Sequence, residues 1–132
     1  MAKLGARAGW HGNYVQELTA STTLTAADSG KVFISSTDAI VITLPPTKAG
    51  LEFTFINSGA DGGAAINISP DSADGIHGTT CASTNVVLGG VDDKDMINTK
   101  GTATTGDSCK LVGDGSVGYY LISCTGIWAS ES

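Results

Sequence analysis

Apolar and polar residues alternate along most of this chain with a period of two, and no stretch carries the period of a helix longer than two turns. The clearest segment is Leu51-Glu52-Phe53-Thr54-Phe55, which puts Leu51, Phe53 and Phe55 on one face and Glu52 and Thr54 on the other. Residues 39–44 repeat the pattern, with Ile40, Ile42 and Leu44 on one side and Val41 and Thr43 on the other. Pro45-Pro46 ends that strand, because proline removes a ladder donor. Residues 31–35, 65–69, 85–88 and 126–129 are further short strand candidates, and residues 15–24 are rich in Thr and Leu. Residues 108–112 and 117–124 predict a hairpin around Gly113-Asp114-Gly115-Ser116. Asp28-Ser29-Gly30, Ala49-Gly50 and the glycine-rich residues 58–63 supply turns. Residues 70–78 read as a polar loop, and residues 91–107 carry no assignable pattern.

About nine short strands with nearly regular turn spacing predict an all-β fold, an antiparallel β-sandwich or barrel. At 132 residues the chain fits one domain. A chain of this size buries roughly 65–70% of its unfolded surface, enough for a core without metals or disulfides. The β domain is expected over residues 16–132. Residues 1–15 differ: Gly5, Gly9 and Gly12 interrupt isolated large side chains, Leu4, Trp10 and Tyr14. They predict an extended N-terminal arm, with Trp10 and Tyr14 as anchors that dock on a neighbour or fold back on the body.

The net charge of −6 sharpens this division. Lys3 and Arg7 precede the first acid, Glu17, so a basic arm leads into an acidic body. An acidic body argues against nucleic-acid binding, which needs clustered Lys and Arg facing phosphates. No apolar run reaches the length of a membrane span, and residues 1–14 have no apolar signal region. The three cysteines, Cys81, Cys109 and Cys124, form no C-x-x-C pair. Reduced, buried thiols in a protein made in a cytoplasm are the simplest reading; one bridge and one remaining thiol is the alternative.

Candidate chemistry is sparse. Gly113-x-Gly115-x-x-Gly118 matches the dinucleotide fingerprint in form, but strand sequence follows it where a helix N-terminus is required. Asp92-Asp93-Lys94-Asp95 lacks the spacing of a calcium loop, and Asp71 and Asp74 are further possible oxygen ligands. His77, Asp74 and a serine make a triad on paper without a nucleophile elbow. Asn67-Ile68-Ser69 is a glycosylation sequon set in a strand. Tyr119, Tyr120 and Trp128 would stack on sugar rings if exposed together, but adjacent residues of a strand face opposite ways. No catalytic, cofactor or metal-ligating residue is assigned, and no enzyme activity is expected.

Three segments carry a resemblance. They are Leu24-Thr25-Ala26-Ala27-Asp28-Ser29-Gly30-Lys31-Val32-Phe33, then Ile42-Thr43-Leu44-Pro45, then Ala49-Gly50-Leu51-Glu52-Phe53-Thr54-Phe55. Near the end, residues 106–115 are similar to a "GDxxxLxxDG" hairpin, followed here by Gly118-Tyr119-Tyr120-Leu121 in place of a tryptophan-bearing strand. The chain thereby resembles tailed-phage capsid decoration (cement) proteins and, in the same elements, phage tail-fibre β modules. The resemblance implies a virion structural protein, made in the host cytoplasm, that binds the outer surface of the head shell as a homotrimer and stabilises it. Its partners would be the major capsid protein and itself, with no nucleic acid and no membrane. Lys3, Arg7, Trp10 and Tyr14 would form the capsid-binding arm. The alternative is a tail-fibre or receptor-binding, glycan-binding module.

Overall fold

The computed structural model describes residues 14–80 and 87–131. Twelve strands appear among them: β1 (Val15–Glu17), β2 (Thr22–Thr23), β3 (Val32–Ser35), β4 (Ile40–Thr43), β5 (Glu52–Asn57), β6 (Ile66–Ser69), β7 (Gly75–Thr79), β8 (Val87–Gly89), β9 (Met96–Asn98), β10 (Ser108–Gly113), β11 (Gly118–Thr125) and β12 (Trp128–Ser130). Two single 3-10 turns, Ala26–Asp28 and Lys100–Thr102, are the only helical elements described. A seven-stranded sheet, in the order β1-β3-β5-β10-β11-β7-β8, packs on a five-stranded sheet, β12-β9-β6-β4-β2. The all-β sandwich expected from the alternation is the observed fold.

The sheets are mixed, where the turn spacing predicted antiparallel pairing. From β1 to β6 the chain crosses from one sheet to the other after every strand. The next strand to enter a given sheet has therefore completed a full circuit and runs the same way as the last. Accordingly β1, β3 and β5 pair in parallel, as do β2, β4 and β6. Short polar turns mark strand ends equally well in a hairpin and in such a coil, so turn spacing alone does not distinguish them. The predicted hairpin of β10 and β11 is antiparallel, as are β5 with β10, β6 with β9, β7 with β8 and β9 with β12.

The core lies between the sheets. Phe33, Phe53, Phe55, Leu111 and Tyr119 from the larger sheet face Ile40, Ile42, Ile66, Ile68, Met96 and Trp128 from the smaller. Phe33, Phe55 and Phe53 stack in a row, with centroids 5.9 and 6.4 Å apart. Full burial of side chains of this size contributes roughly 1.5–3 kcal/mol each. One polar chain crosses this apolar layer. Asn57 of β5 donates its amide to Asn98 Oδ1 of β9 at 2.7 Å and to the Ala64 carbonyl at 3.0 Å. Asn98 in turn donates to Asp107 Oδ2 at 3.0 Å and to the Ile127 carbonyl at 3.1 Å. All three side chains are buried.

Two local irregularities shape β11. Between Lys110 and Leu111 the register with β10 shifts, so that Ser123 pairs with Lys110 and Leu121 with Leu111. Ile122 is the extra, bulged residue, and it points outward next to Ser123. At the start of β11, Gly118 has φ 144°, and a Cβ there would run into the Gly75 carbonyl. β7 can lie beside β11 only through this glycine contact. The same fact corrects the polar loop read at residues 70–78: Gly75-Ile76-His77-Gly78 lacks apolar alternation because its backbone, not its side chains, makes the close approach. β9 likewise forms inside residues 91–107, where no pattern was assignable; it is three residues long and its inward positions are Met96 and Asn98.

Replacing Asn98 by Ala leaves the Ile127 carbonyl without its side-chain donor and removes one partner each from Asn57 and Asp107. The expected loss is about 2–4 kcal/mol of unfolding free energy, measured by urea titration. A loss below about 1 kcal/mol would show that the network does not hold the sheets together.

Candidate functional site

The outward surfaces of the two sheets are the most extensive feature available for recognition. With Phe33, Phe53, Phe55, Cys109 and Leu111 inward, their neighbours point out. The larger sheet presents Val15 and Glu17 on β1, Ile34 on β3, Glu52, Thr54 and Ile56 on β5, and Ser108, Lys110 and Val112 on β10. It continues with Tyr120, Ile122, Ser123 and Thr125 on β11, His77 and Thr79 on β7, and Val87 on β8. Glu17, Glu52 and Lys110 are the charged residues among these, and Glu52 and Lys110 pair with each other at 3.7 Å. The smaller sheet presents Val41, Thr43, Asn67, Ser69, Ile97 and Ala129, with no charge. Of the 13 acidic residues only Glu17 and Glu52 lie in strands. Most of the negative charge sits in the turns, and the sheet faces carry little of it.

Three strongly exposed apolar residues gather at the β8 end of the larger face. Ile122 is 59% exposed, Val87 72% and Tyr120 44%. Tyr120 lies flat against His77 of the neighbouring strand, with ring centroids 4.9 Å apart and planes 15° apart. The other face of the His77 ring meets Gly90, where a Cβ would collide with it. His77 Nε2 is buried without a hydrogen-bond partner. Tyr119 points the opposite way, is fully buried, and donates its hydroxyl to the Pro45 carbonyl at 2.7 Å. The adjacent tyrosines thus divide between core and surface as strand geometry requires. Trp128 is also fully buried, so the three aromatic residues considered for sugar stacking do not form one exposed group.

Beneath this end of the face, Asp74 ties three segments together. Its Oδ2 accepts the Thr47 amide at 2.8 Å, and the Thr47 hydroxyl donates to the Gly118 carbonyl at 2.6 Å. The Asp74 carbonyl accepts the Asp93 amide at 3.0 Å. Asp74 is only 5% exposed. Burial raises its carboxyl above the ordinary carboxylate range, against the Thr47 hydrogen bond, and the nearby Asp71, Asp114 and Asp92 add to the rise. The structure therefore does gather Asp71, Asp74 and Asp92, with Asp114 as a fourth. Among the described residues no group of three or more His, Cys, Asp or Glu is placed to hold a metal ion. Asp114 spends its Oδ1 on the amides of Ser116, Val117 and Gly118, which makes Gly113-x-Gly115-x-x-Gly118 a hairpin turn. Those bonds lower its pKa, led by Ser116 and Gly118.

Of the arm residues, Lys3, Arg7 and Trp10 lie outside the described residues. Tyr14 is placed at the rim of the larger sheet, where its carbonyl accepts the Val32 amide at 2.8 Å. Lys31 Nζ lies 5.2 Å above its ring and pairs with Asp28 at 2.6 Å. The Lys31 hydrogen bond holds the Asp28 carboxyl below its ordinary range. Asn67 of the sequon lies in β6, with its amide 3.4 Å from Asp95 Oδ2. A pocket of about 170 Å³ opens between the β8 and β12 edges, over Ile76, Leu88 and Val91. Cys81 lies outside the described residues. No helix among the described residues is long and apolar enough to cross a membrane. No protein-family model and no curated protein matches the chain.

The many Thr and Ser residues at outward strand positions already read as a polar, weakly charged surface able to pack against identical copies. Tyr120, Ile122 and Val87 each read singly as an ordinary outward strand position and join that surface only through the pairing of β11, β7 and β8.

The raised Asp74 carboxyl gives a pH prediction. The folded chain keeps this proton to higher pH than the unfolded chain, whose value is near 3.8. Its contribution to stability is full below that value and is lost as pH rises through the folded pKa. Asp74→Asn keeps an acceptor for the Thr47 amide and cannot ionise. Urea midpoints should match wild type at pH 3 and exceed it at pH 7. An equal difference at both pH values would sink the assignment.

Proposed function

We propose that this protein is a virion structural component, a capsid decoration (cement) protein that sits on the outer surface of a phage head shell and stabilises it as a homotrimer. The observation that carries the reading is the partition of charge: faces made mostly of Thr, Ser, Val and Ile on both sheets, with all the acids but Glu17 and Glu52 outside the strands. A chain of net charge −6 repels its own copies unless the surfaces that meet are neutral. The sheet faces come close to that condition, and the apolar group of Tyr120, Ile122 and Val87 gives one end of the larger face a patch that excludes water on contact.

In this reading the β body associates around a three-fold axis, and the residues before β1 lie across the capsid-protein surface. Lys3 and Arg7 supply charge contacts, and Trp10 and Tyr14 supply anchors. The partners are the major capsid protein and identical subunits, on a particle assembled in the host cytoplasm. Many weak attachments to one rigid lattice add by avidity. Binding the expanded shell and not its precursor stabilises the former by mass action. A tail-fibre or receptor-binding role is the second reading. It is favoured by Tyr120, which is held flat by His77 on the outward face and stays partly exposed to a sugar ring.

Two measurements test the first reading. Light scattering of the purified protein should give the mass of a trimer, and the double variant Tyr120→Lys/Ile122→Lys should give a monomer with unchanged far-ultraviolet circular dichroism. Deleting residues 1–13, which leaves β1 whole, should reduce co-sedimentation with expanded head shells at least tenfold. Retained shell binding would exclude the arm as the attachment. Saturable glycan binding lost in Tyr120→Ala, with no affinity for shells, would favour the second reading.

A further inference from the structure

Cys109 and Cys124 face each other directly across β10 and β11. Antiparallel strands alternate between pairs that exchange backbone hydrogen bonds and pairs that do not, and the latter have the closer Cα atoms, about 4.5 Å apart. The hydrogen bonds around β10 decide which kind this is. The Asp107 carbonyl accepts from Asn57 at 2.8 Å, and Gly113 donates to Leu51 at 2.7 Å. Odd-numbered residues of β10 therefore turn their backbone groups to β5, and even-numbered ones turn theirs to β11. Asp114 continues the series, donating to Gly118 at 3.0 Å. Cys109 and Cys124 form a non-hydrogen-bonded pair. Both side chains point to the inner face, where Cys109 is 2% exposed and Cys124 packs on the core from a partly exposed position.

We propose that Cys109 and Cys124 are a modification site that closes to a cross-strand disulfide when the protein leaves a reducing compartment. Bridged cysteines need Cα atoms about 4.4–6.8 Å apart, with side chains directed at one another. A non-hydrogen-bonded antiparallel pair supplies that spacing with no movement of the strands. The co-reactant is a small-molecule disulfide. The Cys124 thiolate, the more accessible of the two, attacks one sulfur of the co-reactant and expels the other half as a thiol. The Cys109 sulfur, losing its proton, then attacks Cys124 in the mixed disulfide and expels the second half. Two protein thiols are oxidised, and one co-reactant disulfide is reduced to two thiols. Burial pushes the Cys109 thiol far above its ordinary pKa, so the second step is slow and follows brief opening of the strand pair. The bridge staples the hairpin that carries Tyr120 and Ile122. It constrains the unfolded chain whether or not the protein sits on a capsid, so its test is independent of that reading.

The experiment treats the full chain with oxidised glutathione under native conditions at pH 8 and maps the products by mass spectrometry after digestion without reduction. The expected product links the peptides of Cys109 and Cys124, has lost two hydrogens, and melts about 5 °C or more above the reduced protein. Cys81→Ser should give the same link and the same shift. Cys124→Ser should abolish both, with its reduced melting temperature close to that of reduced wild type. A link through Cys81, a stable glutathione adduct on Cys124, or a link without a rise in melting temperature would each overturn the proposal.

Discussion

The 2.7 Å hydrogen bond between the Asn57 and Asn98 side chains joins the two sheets through an otherwise apolar interior. Each amide also fixes a loop: Asn57 holds the Ala64 carbonyl, and Asn98 holds that of Ile127. Asp107 closes the chain and receives the Thr104 amide at 2.9 Å. A hydrophobic layer alone tolerates sliding of one sheet over another, because dispersion contacts have little direction. Directional bonds between buried amides remove that freedom, because every alternative register leaves a polar group dry and unpaired. The coil from β1 to β6 and the hairpins that follow it depend on that fixed register.

Register in turn determines where charge can go. A strand between two sheets has one face against the core and one against solvent, and here the solvent faces carry almost no ions. The acids stand in turns, where they hold backbone amides: Asp28 that of Thr25, Asp38 that of Ala65, Asp74 that of Thr47, and Asp114 those of its own hairpin. The carboxylates that give the molecule its charge are thus also the fasteners of its turns. Structural economy at the turns and neutrality of the faces come from the same placement.

Much of the strand framework was legible in the sequence because alternation is a direct consequence of strand geometry. Ile40, Ile42, Leu44, Leu51, Phe53 and Phe55 are all buried as their spacing requires. Four things were not legible. Parallel pairing depends on which sheet each strand enters, and no local pattern records that. β7 is built on Gly75 and Gly78, residues that mark loops more often than strands, and its place is fixed by contact with Gly118 far along the chain. The inter-sheet network draws on Asn57, Asn98 and Asp107, which read singly as surface residues. The facing of Cys109 and Cys124 required the β10–β11 register, which the hairpin turn suggested but the bulge at Ile122 altered.

That bulge has a consequence for how the chain can vary. Removing one residue from a strand ordinarily rotates everything beyond it by half a turn and exposes the core positions. In β11 the extra residue has already broken the alternation, so Ile122 and Ser123 both point out. Loss of Ile122 would restore an unbroken pleat with Tyr119, Leu121 and Cys124 still inward. Length change by a single residue is thus compatible with the fold at this one point of β11, on the outward face of the larger sheet. Descendants of this sequence have there a route to reshape that face by deletion, without repacking the interior.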